Sequence, residues 1–119
     1  MLSETLTIHK LSFDASIPEG ILKSNYYSVS KTENELSLVC SEVIEVQSLQ
    51  SSKGWECIKV AGTLDFNLTG ILAGISDILT LENISIFAIL TFDTDYILVR
   101  TQDLCSVRTI LRQTGYKFE

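Results

Sequence analysis

The sequence is poor in the residues that metal sites, disulfide frameworks and nucleic-acid surfaces require. Its 119 residues include one histidine, one proline and three cysteines, and nine basic residues stand against fifteen acidic ones. Three cysteines without a Cys-x-x-Cys pair, beside a single histidine, argue against a zinc site and against a disulfide framework. We therefore expect no metal and no cofactor.

The acidic balance also restricts the partners. A formal net charge of −6 disfavours nucleic acid, because that affinity depends largely on cationic contacts with phosphates. The longest strongly apolar run, Ile84–Leu90, is far below the roughly 20 residues that span a bilayer. Residues 1–10 lack the basic start and apolar centre of a signal peptide. We expect a cytoplasmic protein that binds neither nucleic acid nor membrane.

The residues present indicate a single small folded body without catalytic machinery. With 45% hydrophobic residues, so short a chain has more apolar surface than one core hides, which predicts a homodimer. Cys40, Cys57 and Cys105 lie in or beside apolar patterns and are interpreted as small, semi-buried hydrophobic residues in a reducing compartment. No histidine accompanies a nucleophile and no phosphate loop occurs, so we expect no enzyme.

One stretch of the chain occurs twice. Ser28–Glu42 and Ala88–Gln102 share an apolar run, an acidic turn and a second apolar run. The turns are Glu33–Glu35 and Asp93–Asp95. Both copies predict a β-hairpin, and the duplication indicates two related halves.

The remaining elements follow from periodicity and punctuation. Pro18 and Gly20 indicate an irregular connection, residues 41–50 fit a short helix, and the polar residues 51–54 read as the boundary between halves. The other predicted strands are at 6–11, 55–62 and 116–118. One helix is predicted at 68–82, and a second begins after its cap Asp103 and ends at Gly115. From Trp55 the order is β-α-β-β-α, which predicts an α+β, ferredoxin-like fold with antiparallel strands and helices on one face.

Two motifs carry a family resemblance. Gly62–Ala73 and Ile84–Val99 resemble the ACT domain family, and in particular short bacterial tandem-ACT proteins and the ACT units of the cytosolic arginine sensors of animals. The resemblance implies a βαββαβ ACT domain at 54–119 and a degenerate ACT-like half at 1–53. It also implies a regulatory protein that binds a small molecule, usually an amino acid, between ACT units.

The resemblance further implies which segments contact the ligand, namely the loop before the first ACT helix and the end of the second strand. Those segments match Asp65, Phe66, Asn67, Leu68, Thr69 and Gly70, followed by Thr91, Phe92 and Asp95. The first amides of a helix lack intrahelical partners, so the backbone at 68–70 suits a carboxylate. Carbonyls at Thr91–Phe92 or the Asp65 carboxylate suit an ammonium group, and Asp95 suits a polar or cationic side chain.

Each of these residues also has a purely structural interpretation. Asp65 and Asn67 fit a helix cap, and Asp93 and Asp95 fit a hairpin turn. Phe66 and Phe92 fit the core as well as a pocket wall. Leu68 stands where the arginine sensors have an acidic residue, which weakens the case for arginine and leaves the ligand open. The alternative function is a dimerisation module without a ligand, and in both cases any output passes through a protein effector or the oligomeric state.

Overall fold

The computed structural model describes residues 4–60 and 68–114, with the backbone alone at residues 68–72. Two compact units follow each other along the chain, one formed by residues 4–55 and the other beginning at Glu56. Both units combine antiparallel strands with helices, so the predicted α+β class is confirmed.

The N-terminal unit is a small antiparallel sheet. It contains β1 Leu6–Leu11, α1 Glu19–Leu22, β2 Ser28–Lys31, β3 Leu36–Ser41 and the first half of β4 Gln50–Val60, in the strand order β2-β3-β1-β4. In β1, Leu6 lies opposite Ser41 and Leu11 opposite Leu36 of β3. The predicted strand 6–11 and the predicted first hairpin are therefore confirmed.

The core of this unit lies on one face of the sheet. Directly paired residues of neighbouring strands share a face, and His9 pairs with Leu38 while Thr7 pairs with Cys40. Leu38 and Cys40 belong to a buried cluster with Leu11, Ile21 and Leu36. Thr7 and His9 therefore lie on the same face as the apolar core.

Two local predictions in this unit are wrong. Residues 42–49 form no helix but a turn followed by an irregular segment, whose residues Ile44 and Val46 pack against the core. The Leu49 amide donates to the carbonyl oxygen of Lys10 over 2.8 Å. The connection predicted without a helix contains the one-turn helix α1, which buries Ile21.

The polar stretch 51–54, predicted as a boundary, is part of strand β4. Ile8 lies opposite Ser52 but Leu6 lies opposite Trp55, so β4 contains one extra residue in the form of a β-bulge. Gly54 has a φ of 79°, a conformation that glycine adopts without steric cost. The Trp55 indole Nε1 donates to Ser52 Oγ over 3.0 Å across this bulge.

The unit that begins at Glu56 has the predicted element order. After the second half of β4 come α2 Leu68–Leu81, β5 Ile86–Leu90, β6 Asp95–Arg100 and α3 Leu104–Gln113, in the strand order β4-β6-β5. Asp103 precedes α3 as predicted, but its side chain makes no capping hydrogen bond. The predicted Gly115 cap and the strand at 116–118 lie outside the described residues, so the ferredoxin-like closure of this unit stays a prediction.

Both long helices cover the same face of this sheet. Ile58, Val60, Ile97 and Val99 of the strands form a fully packed cluster with Ile75 and Leu79 of α2 and Val107 and Leu111 of α3. The predicted placement of helices on one face is confirmed for this unit. Burying one apolar stripe per helix against one sheet face is the usual way to close such a layer.

Helix α2 ends in a Schellman motif. Asn83 has a φ of 57°, and its amide donates to the Thr80 carbonyl while the Ile84 amide donates to the Leu79 carbonyl over 2.9 Å. These two bonds satisfy carbonyl groups that the helix end leaves without partners. Ile84 then packs against the core, which directs the chain into β5.

Candidate functional site

The start of β6 lies toward the end of β4. Thr101 Oγ1 donates to Glu56 Oε1 over 3.2 Å, so the end of β6 lies beside the beginning of the second half of β4. The first residues of β6 therefore lie toward Val60, where the chain leaves β4 and later enters α2 at Leu68. Asp95, the first residue of β6, thus lies toward the end of β4.

Asp95 is buried although it carries a carboxylate. Its exposed fraction is 6%. Asp95 stands two and four positions before the core residues Ile97 and Val99 of β6, so its side chain lies on the same face of the strand, which the helices cover. An ionisable group is rarely buried without a partner or a ligand. Burial makes Asp95 the strongest of the candidate residues.

The two hairpin turns correspond to each other, but one residue away from the pairing that the sequence repeat 28–42 and 88–102 predicts. The Thr91 amide donates to the Thr94 carbonyl over 2.9 Å, and the Thr32 amide donates to the Glu35 carbonyl over the same distance. Thr91 therefore matches Thr32, whereas the alignment placed Phe92 there. The repeat in the sequence paired Glu35 with Asp95, which is wrong by one residue. In the structure Asp95 corresponds to Leu36, which is 2% exposed.

Thr91 serves the turn that precedes Asp95. Its Oγ1 donates to the Thr94 carbonyl over 2.9 Å and accepts from the Thr94 amide over 3.1 Å. The hydroxyl is thus engaged within the turn. A contact between Thr91 and a ligand would have to use its backbone.

Phe92 is 99% exposed, so its interpretation as a core residue is wrong. Its ring projects from the turn between β5 and β6. An aromatic side chain with this exposure is available to a partner molecule.

The helix part of the predicted site is present as backbone. Leu68, Thr69 and Gly70 are the first three residues of α2, whose amides have no acceptors within the helix. Asp65, Phe66 and Asn67 lie outside the described residues. The unit therefore has amide donors at the start of α2, which suit a negative charge, and a buried carboxylate at the start of β6, which suits a positive one.

The N-terminal unit contains a cavity that the sequence analysis did not predict. It lies between β1, the start of β4 and the segment 42–49, encloses about 580 Å³, and is lined by Thr7, His9, Glu42, Glu45, Ser48 and Lys53 together with Ile44 and Val46. We call it the N-terminal cavity. The sequence does contain one signal of it. Thr7, His9 and the core residue Leu11 stand at every second position of β1, so the two polar side chains lie on the same face of the strand as the core.

His9 is buried in the wall of this cavity. Its Nδ1 lies 3.2 Å from Ser48 Oγ, and its Nε2 has no hydrogen-bond partner among the described residues. Burial, and secondarily the nearby Lys53 ammonium, lower the pKa of His9. Both causes favour the neutral form of the imidazole.

The cysteines follow their expected roles in part. Cys40 and Cys57 are buried, Cys105 is exposed, and all three are free thiols. Burial raises the pKa of the Cys40 thiol, which disfavours the reactive thiolate. The described part of the chain contains no cluster of three or more metal-ligating side chains, and no helix in it has the length and apolarity to cross a membrane.

Solved structures similar to this chain include two bacterial proteins. A crystal structure of an Agobacterium tumefaciens protein has 33% sequence identity and a TM-score of 0.84, covering 94% of this chain and 84% of the other. A Vibrio cholerae protein of unknown function, described as a possible transport protein, has 13% identity and a TM-score of 0.67 over the same shares of both chains. At that identity the Vibrio protein shows likeness of fold alone.

Family comparison matches both units. No curated protein matches the sequence significantly. A family model for an N-terminal domain matches residues 4–44, and the family model of an ACT domain matches residues 50–113. That match extends over more than half of the sequence and includes β4, α2, β5, β6 and α3, so the chain belongs to the ACT domain family.

Proposed function

We propose that the protein is a sensor that binds an amino acid at the start of α2 and β6. ACT domains are regulatory and bind small-molecule ligands in general, and the proposal adds the class of ligand and the site. The observation that carries it is the buried carboxylate of Asp95 at the position where the first hairpin has Leu36.

The charges at this end of the unit suit an amino acid. The ligand carboxylate would accept from the first amides of α2, at Leu68, Thr69 and Gly70, where the helix dipole favours negative charge. The Asp95 carboxylate would accept from an ammonium or a polar side chain. Asp65, Phe66, Asn67, Thr91 and Phe92 remain proposed contacts.

The signal would pass through the association of subunits. Ligand binding shifts an equilibrium between two packings only by its difference in affinity for them. The proposed assembly is a homodimer, and the proposed output is a change in the dimer or in its contact with a protein effector. The free thiols Cys40, Cys57 and Cys105 support a reducing, cytoplasmic location.

The test is a thermal-shift screen of the purified protein against the twenty amino acids and common nucleotides. A ligand that binds the folded state alone raises the unfolding midpoint, by about 2.7 kcal/mol in free energy at one hundred times Kd. We expect a rise for one chemical class of amino acid. Absence of any rise at millimolar concentration would favour the second candidate function.

That second candidate is a dimerisation module without a ligand. The observation in its favour is the apolar edge of the second unit, where Leu90 and Phe92 are exposed beside the edge strand β5. It predicts dimerisation that no metabolite changes.

A further inference from the structure

The N-terminal cavity holds polar groups that the fold does not require. Thr7 and His9 lie on the face of the sheet that buries Leu38 and Cys40, where apolar residues would complete the core. His9 is 6% exposed, yet its Nε2 has no hydrogen-bond partner among the described residues. An unpaired buried polar atom costs about 1–3 kcal/mol, so a stable protein retains one when something else pairs with it.

The wall of the cavity is built to keep the imidazole in place. Ser48 Oγ lies 3.2 Å from Nδ1, and Ser48 belongs to the segment 42–49, whose Ile44 and Val46 pack against the core. When one nitrogen of a neutral imidazole pairs with a hydroxyl, the other is left as either a donor or an acceptor. Nε2 is therefore positioned by packing and has unused hydrogen-bonding capacity.

The exposed part of the cavity carries both signs of charge. Glu42 and Glu45 supply carboxylates from the segment 42–49, and Lys53 supplies an ammonium group from β4. A volume of about 580 Å³ lies within the range of small-molecule sites, about 300–1,000 Å³. A molecule with an anionic and a cationic group matches this set better than a simple anion or cation does.

We propose that the N-terminal cavity is a second binding site, which takes a small zwitterion of the α-amino acid class. Lys53 binds the carboxylate of the ligand, Glu42 and Glu45 bind its ammonium group, and His9 Nε2 contacts a polar atom of the ligand. The site belongs entirely to residues 4–55 and is independent of the site proposed at Asp95.

The single histidine of the chain makes the test direct. In protein labelled with ¹⁵N-histidine, the only imidazole signals are those of His9. The twenty amino acids are titrated to millimolar concentration, with acetate and methylammonium as probes that carry one charge each. We expect a saturable shift of the Nε2 resonance for at least one amino acid and a much smaller shift for either single-charge probe.

Matched variants locate the contact. Lys53→Gln should weaken the amino acid titration at least tenfold, and Glu42→Gln combined with Glu45→Gln should do the same. The control is Lys10→Gln, on the opposite face of β1 next to His9, which should titrate as wild type. Asp95→Leu should also leave the His9 response intact, which separates this site from the one at α2.

The proposed contact between Lys53 and the ligand carboxylate can be measured separately, through the pKa of His9. A ligand carboxylate held by Lys53 compensates the positive charge that lowers the pKa of His9, so bound ligand should raise that pKa. The proposal is wrong if no amino acid shifts the imidazole signals, if acetate shifts them as strongly as any amino acid, or if Lys53→Gln titrates as wild type.

Discussion

Asp95 and Leu36 begin equivalent strands of two equivalent hairpins, and both are buried. Leucine at this position shows what the hairpin needs for packing alone. We expect aspartate at the same position to lower stability, because a carboxylate loses hydration on burial. Such a loss at one residue is typical of a functional site.

Replacement of Asp95 by leucine should therefore separate stability from binding. We expect Asp95→Leu to raise the free energy of unfolding by about 1–3 kcal/mol and to abolish amino acid binding at the start of α2. Asp95→Asn should fold normally and bind about 10–100-fold more weakly, since it loses a charge-assisted hydrogen bond. Urea denaturation measures the first effect and calorimetric titration the second.

The matched control for this pair is Asp93→Asn in the same turn. Asp93 is exposed and should affect neither quantity beyond about 0.5 kcal/mol. A destabilised Asp95→Leu protein would show that the carboxylate has a structural role, and unchanged binding by Asp95→Asn would remove it from the site.

His9 should make stability depend on pH. Its pKa in the folded protein is lowered by burial and by Lys53, while in the unfolded chain it is near 6.5. Below about pH 6.5 the unfolded chain takes up the proton more readily, so the free energy of unfolding falls with pH and levels off below the folded pKa. The other titratable groups that line the same cavity are Glu42 and Glu45 of the segment 42–49, and Cys40 of β3 lies on the same face of the sheet.

The measurement is urea denaturation of wild type and His9→Gln between pH 7.5 and 5. Contributions from carboxylates are common to both proteins and cancel in the difference. We expect a shallower dependence on pH in His9→Gln. Equal slopes would mean that His9 titrates alike in folded and unfolded chains.

At the scale of elements, the prediction succeeded where the apolar pattern and the packing agree. In the described part of α2, Ile75 and Leu79 have helical spacing and are buried, and in β6 Ile97 and Val99 have strand spacing and are buried. The start of β4 has no such pattern, because residues 50–54 are polar. Its conformation comes from pairing with β1 and from a bulge at Gly54, and neither is visible in a local window of sequence.

The segment 42–49 shows the opposite error. Val43, Ile44, Val46 and Leu49 suggested a helix, but Ile44 and Val46 point to the core in alternation while Val43 and Leu49 are exposed. A short apolar run fits the period of a helix and the period of a strand equally well. Here the conformation is determined by packing against the core. The N-terminal cavity was missed for this reason, because one wall of it is this segment.

The helix end at Asn83 yields a prediction at the same scale. A left-handed conformation costs a residue with a β-carbon about 1–2 kcal/mol, with asparagine tolerated better than most and glycine best. Asn83→Ala should lower the free energy of unfolding by about 1 kcal/mol and Asn83→Gly should leave it unchanged or higher, as measured by urea denaturation. Glu82→Ala, at the preceding exposed position, is the control and should change it by less than about 0.5 kcal/mol. Equal effects of alanine and glycine would rule out the conformational explanation.

At the scale of the whole molecule, the edge strand β5 is the surface that another chain would cover. Among the described strands it pairs with β6 alone, and its five residues, Ile86–Leu90, carry no charge. Unprotected apolar edges of this kind pair readily with another chain. A second copy of the chain would bury this edge together with Leu90 and Phe92, which is the basis of the proposed homodimer.

Leu90→Lys should therefore dissociate the dimer. A lysine on the edge strand must lose its hydration when two edges meet, and two symmetry-related lysines would repel each other. Light scattering coupled to size exclusion should give twice the 13.3 kDa chain mass for wild type and the chain mass for Leu90→Lys. The control is Leu81→Lys at the end of α2, since Leu81 is 83% exposed and lies outside the edge. A monomeric wild type, or equal dissociation by both lysines, would exclude β5 as the interface, and amino acid sensing would then have to act through a protein effector instead of the dimer.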